Sequence, residues 1–124
     1  MDRLQKFKYD KNELILHTMI EYMSLEVEHE ADFDCGYTQN EIDECGKILD
    51  DYIDSLIALN GNTEKIMSCI KDVVLNLNEL NKKAKYSLIE TDQREVLVPF
   101  IEAIAIEAGL SQPSDDITYE WREW

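Results

Sequence analysis

Apolar residues recur along this chain at intervals of three and four, the spacing that lines one face of an α-helix, and they do so in four separate stretches. The first stripe is Leu16, Met19, Ile20, Met23 and Val27, widened on one side by Ile15 and Tyr22. Asp10 followed by Glu13 has capping-box spacing, so this helix is expected to open there and run over residues 11–30. Leu14 and Leu25 fall on its opposite side, which implies either burial on more than one face or an exposed patch for a partner.

Thr38 followed by Glu41 is a second capping box, and it predicts a helix over 39–60. Ile42, Cys45, Leu49, Tyr52, Ile53 and Leu56 make its stripe, while Asp43, Glu44, Asp50, Asp51 and Asp54 fall on the other side as an outward carboxylate face. Lys47 follows Asp43 by four residues and Glu44 by three, close enough to relieve their repulsion. Asn60-Gly61 should end this helix, with the glycine as left-handed cap. The third helix, 63–85, carries Ile66, Ile70, Val73, Leu77, Leu80 and Ala84 on one stripe. Lys82, Lys83 and Lys85 at its end complement the helix dipole, with a basic binding patch as the other reading.

The fourth helix, 91–109, opens at Ser87 with Glu90 or at Thr91, and its stripe is Leu97, Phe100, Ile101, Ile104 and Ala108. Val96, Val98 and Ile106 lie off that stripe and make it the most apolar of the four. Gly109-Leu110 looks like a stop with a hydrophobic clasp. Pro99 stands about two turns inside, so a kink is expected there, or a break into two shorter helices. The tail, 110–124, holds both tryptophans, and Asp116 or Thr118 could cap a final turn. Tyr119, Ile117, Trp121 and Trp124 are too apolar to be left in water, so the tail should pack on the helices, with a docking peptide as the alternative. The expectation is therefore all-α: a single-domain bundle of four main helices, residues 1–124, with an aromatic tail packed on it.

A length of 124 residues suits one domain, and 44% hydrophobic residues supply enough apolar surface to fold despite 31% charged ones. No apolar run resembles a signal peptide or reaches the roughly 20 residues of a membrane span, which leads to the expectation of a cytoplasmic protein with no membrane role. Cys35, Cys45 and Cys69 have no metal-knuckle or redox spacing and read as reduced packing thiols.

Charge changes the picture more. The net charge is −15, and the stretch from Glu26 to Asp54 holds eleven carboxylates against one base, Lys47. Such a chain repels phosphate backbones and anionic lipid, so no direct nucleic-acid binding is expected, whereas basic partners are attracted over long range. Solubility alone is the plainer explanation of the same acidity. Residues 1–11 run the other way, with Arg3, Lys6, Lys8 and Lys11, and this basic arm is expected to fold back onto the acidic body.

No catalytic chemistry emerges. Asp32, Asp34 and Gly36 suggest a calcium loop, but Tyr37 stands where such a loop needs glycine and Gly36 where it needs a ligand. Glu26-Val27-Glu28-His29 spells half of a di-iron helix site, yet no second Glu-x-x-His accompanies it. Nucleophile elbows and glycine-rich phosphate loops are lacking, and Cys35 in its acidic loop would have its thiolate disfavoured. The expectation is no enzyme, no cofactor and no metal.

The segments ETDQREVLVPFIEAIAIEAGL and DITYEWREW resemble small acidic bacterial proteins of uncharacterised or immunity type, encoded beside toxins. That resemblance implies a helical protein that neutralises a toxin by binding it. A nuclease-type toxin presents a basic cleft, and a carboxylate-rich surface is its electrostatic complement. The partner is then a basic protein such as a toxin domain. Asp43, Glu44, Asp50, Asp51 and Asp54 would steer it, and Asp32, Asp34, Tyr37 and the tail tryptophans would supply contact. A DNA mimic and a regulatory bundle without a toxin partner, monomeric or homodimeric, are the alternatives.

Overall fold

The first helix begins earlier than the Asp10/Glu13 spacing implies. The computed structural model describes residues 3–28, 36–60 and 62–124 (residues 25–28 by their backbone). In it, α1 (Arg3–Lys11), a wide π-helical turn (Asn12–Leu16) and α2 (His17–Glu28) form one uninterrupted rod. Asp10 therefore lies inside a helix and caps nothing, a correction to the expected start of 11. The basic arm is helical because Leu4 and Phe7 give it an apolar side that packs into the core. Leu4, Lys11, Ile15 and Met19 are all buried, at separations of seven, four and four residues. That spacing is longer than the 3.6 residues of an α-turn, and the π turn takes up the excess. Ile15 and Met19 thus lead the buried side, whereas Ile20, placed by periodicity within the stripe, is exposed.

The remaining helices follow the local signals closely. Thr38 caps α3 (Gln39–Ala58): its hydroxyl accepts the Asn40 N–H, and Glu41 Oε1 accepts the Thr38 N–H at 2.9 Å. All six apolar positions of its stripe are buried. Asn60 takes the left-handed conformation at its end, with φ 47°. Asn is the non-glycine residue best suited to it, and Gly61 lies outside the described residues. A 3₁₀ turn, Thr63–Lys65, capped by Asn62, leads into α4 (Ile66–Lys83), whose predicted stripe from Ile66 to Ala84 is entirely buried. Lys85 and Tyr86 both have positive φ, and the Tyr86 N–H donates back to the Asn81 carbonyl to close the helix.

Pro99 neither splits nor ends α5, which runs from Thr91 to Glu107. The proline stands at an exposed position, while Leu97, Phe100, Ile101 and Ile104 anchor the residues around it in the core. At the start Gln93 accepts the Glu90 N–H, and at the end Gly109, at φ 122°, lets the Leu110 N–H reach the Ala105 carbonyl.

Antiparallel neighbours make an all-α bundle, and the described residues contain no strand. Phe7 meets Phe100 edge to face at 5.8 Å, setting α1 against α5, and the buried Tyr52 hydroxyl donates to the Ile101 carbonyl, tying α3 to α5. The tail bridges α4 and α5. Asn78 of α4 donates to the Trp121 carbonyl and accepts the Glu123 N–H, and Gln112 donates to Glu102 of α5. Trp124 is only 9% exposed and Ile117 and Trp121 lie against the core, so the tail packs, but Tyr119, expected to pack with them, stands in water at 73% exposure. Among the described residues no helix is long and apolar enough to cross a membrane.

Candidate partner-binding surface

The carboxylates of α3 do not form one free face. α1 and α4 flank this helix on either side, α1 bringing two lysines to its edge and α4 one. Lys8 Nζ lies 2.7 Å from Asp54 and Lys11 Nζ 3.0 Å from Asp50, both from the basic arm that was expected to fold back here. On the other edge Lys83 reaches Glu44 at 2.7 Å. Lys47 sits 3.0 Å from Asp51 one turn ahead, not with Asp43 or Glu44 behind it, and Asp43 accepts instead from the Gln39 amide at 3.0 Å. The hydrogen bond and charge of Asp54 raise the Lys8 pKa, and those of Glu44 raise that of Lys83.

Lys11 is the unusual member, at 7% exposure. Its stem crosses Gly46 of α3, where an added Cβ would stand 3.5 Å from Lys11 Cε and 3.1 Å from Leu16 Cδ1. The ammonium also donates to the Lys8 carbonyl at 2.8 Å. Asp50 and Asp54 thus hold the first helix in place, Glu44 faces α4, and Asp43 and Asp51 are left toward the open side of α3.

That open side continues into the seam with α4. Two hollows, of about 360 and 150 Å³, share Ile48 and Asn76 and so form one groove. Ile48, Leu80, Tyr52 and Val73 supply its apolar lining, and Glu44, Asp51, Asp72 and Glu79 line it against a single amine, Lys83. Asp72 and Glu79 were missed by sequence reasoning. Their signal was available: they occupy the polar side of the α4 stripe that turns toward α3.

Tyr37 is not on this surface. It is 5% exposed, its hydroxyl donates to the Met19 carbonyl at 2.8 Å, and its ring stacks on Tyr22, so it is a brace for the first helix and no contact residue. Asp32 and Asp34 lie outside the described residues, as do Cys35 and His29 of the half di-iron motif. Among the described residues no group of three or more His, Cys, Asp or Glu side chains is placed to hold a metal. Burial pushes the Cys45 thiol up to about 12 and raises that of Cys69, with Asp72 adding to the latter, so neither offers a thiolate at neutral pH.

A second seam, between the first helix and α5, has another character. Leu14, Val96, Pro99, Phe100, Ala103 and Glu95 line a hollow of about 300 Å³, and Leu14 is 53% exposed. Next along the same seam, Thr18, Glu21, Tyr22, Asp92 and Gln93 line a hollow of about 320 Å³. Leu14 and Val96 were both off-stripe in the sequence; the fold brings them together.

No protein-family model, curated protein or solved structure matches this chain.

Proposed function

We propose that this protein is an acidic cytoplasmic binding protein of the immunity type, which neutralises a basic toxin domain docked on the α3–α4 face. The observation that supports this reading is the groove lined by Glu44, Asp51, Asp72 and Glu79, four carboxylates against Lys83, over an apolar floor. Lysines already sit on Glu44 and Asp51 as exposed single ion pairs, which are weak and exchangeable. An incoming arginine offers a planar, bidentate donor that outcompetes a lysine for a carboxylate, while its stem covers Ile48 and Leu80. The remaining negative charge speeds encounter and fixes orientation.

The test uses the tagged full chain against lysate of the source organism at low salt and at about 0.5 M, where the screening length falls to roughly 4 Å. A basic protein retained at low salt, released at high salt, and lost with Asp51→Lys combined with Glu79→Lys is the expected result. Asp50 and Asp54 are unsuitable for charge reversal because they anchor α1. Retention of no basic protein sinks the proposal. Displacement of the retained protein by duplex DNA would mark a DNA mimic instead, and unchanged cellular behaviour of the double variant would leave a regulatory bundle.

A further inference from the structure

The seam between the first helix and α5 is a second surface, with its own chemistry. Its first hollow is apolar, walled by Leu14 from the π turn and by Val96, Pro99 and Ala103 from α5. Leu14, Pro99 and Ala103 are exposed, so the hollow is open to a partner. The second hollow lies one turn away on both walls, from Leu14 to Thr18 and from Val96 to Asp92, about 5 Å along the seam. It carries Glu21 and Asp92, and Glu95 stands in the first; none of the residues lining either hollow is lysine or arginine. From Ala103 back to Asp92 the seam spans about 16 Å, roughly three turns of a helix. Pro99 has no N–H, so the Glu95 carbonyl in the groove wall lacks its helical i+4 donor.

We propose that this seam is a docking groove for a short basic amphipathic helix, with apolar residues at i, i+3 and i+4 seated against Leu14, Val96 and Pro99, and a lysine or arginine one turn on between Glu21 and Asp92. The partner is basic because the groove itself is acidic and belongs to a chain of net charge −15. A second copy of this chain docked seam to seam would bring carboxylates to carboxylates. The groove is lined by residues other than those of the α3–α4 face, so its occupancy does not depend on a toxin partner.

The probe is a labelled 18-residue peptide with leucines on one helical stripe and lysines elsewhere, titrated with the full chain and followed by fluorescence anisotropy. Two controls are a peptide of the same composition with the stripe scrambled and one with glutamate in place of lysine. Binding of the striped basic peptide alone is expected, weakened about tenfold or more by Leu14→Glu, by Ala103→Glu and by Glu95→Lys, and unchanged by Leu75→Glu on the exposed side of α4. Both Leu14 and Ala103 are exposed, and far-UV circular dichroism verifies that each variant is folded. Equal binding of the scrambled peptide, or binding insensitive to Leu14→Glu and Ala103→Glu, overturns the proposal. A homodimer dissolved by Leu14→Glu overturns the choice of occupant.

Discussion

Gly46 sets how closely the first helix approaches α3. In an exposed helix, alanine is favoured over glycine by about 1 kcal/mol, yet here a Cβ meets Leu16 Cδ1 at 3.1 Å. The tip of a leucine can yield by a few tenths of an ångström, so the two effects nearly cancel. Gly46→Ala should leave stability within about 1 kcal/mol of the parent in urea denaturation. Gly46→Leu has no such escape. It must lift the rod, separating Lys11 from Asp50 and opening the core around Ile15, and should cost about 3 kcal/mol. Equal stability of the two variants would show that α1 does not pack across this glycine. The glycine is unremarkable in the sequence; only the crossing helix reveals its use.

At the scale of elements, what was legible is what is locally determined. α4 carries a whole apolar stripe and lysines in its last turn, and it forms within the span read for it, the first three residues of that span being a 3₁₀ turn. The first helix starts ahead of Asp10 because the Asp10/Glu13 spacing is a local signal, while Leu4 and Phe7 answer to a tertiary one: they join the core where α1 packs on α3 and α5. Pro99 does not break α5 for a related reason, since a lost hydrogen bond on a solvent-facing side is offset by the buried stripe on the other. The tail shows how a polar cluster holds an element. Desolvation pushes the Asp116 carboxyl up, but donation from the Thr118 N–H and hydroxyl and from Arg122 outweighs it, and the net shift is downward from 3.8. A depressed carboxyl pKa stabilises the docked tail above the unfolded value and ceases to do so as pH falls through the folded one. Acidification below about pH 4 should therefore red-shift tryptophan emission as Trp121 and Trp124 gain water. Asp116→Asn should show part of that shift already at pH 7 and a flatter response below it. An unchanged acid transition in the variant would refute this role.

Over the whole molecule, repulsion and pairing oppose each other. The ion pairs of α3 are mostly exposed and worth little each, whereas a net charge of −15 acts on every part of the surface. Screening should then stabilise: raising NaCl from about 0.05 to 0.5 M is expected to lift Tm by a few degrees in calorimetry. A fall in Tm would mean the internal pairs dominate. The acidic surface itself was visible in the sequence, but not that Lys8, Lys11 and Lys83 would claim three of its five carboxylates, because such pairings depend on which helices become neighbours.

The two seams also differ in how far apart in the chain their walls lie. α3 and α4 are separated by a short turn, whereas Arg3 meets Glu107 and Phe7 meets Phe100 only when about a hundred residues close into a ring. Closing the longer span costs about 2 kcal/mol more in chain entropy, which places it late in assembly. Every residue that lines the α3–α4 groove lies between Glu44 and Lys83. The groove beside Leu14 has its other wall in α5, so anything that settles there recognises a chain whose first and last helices have met.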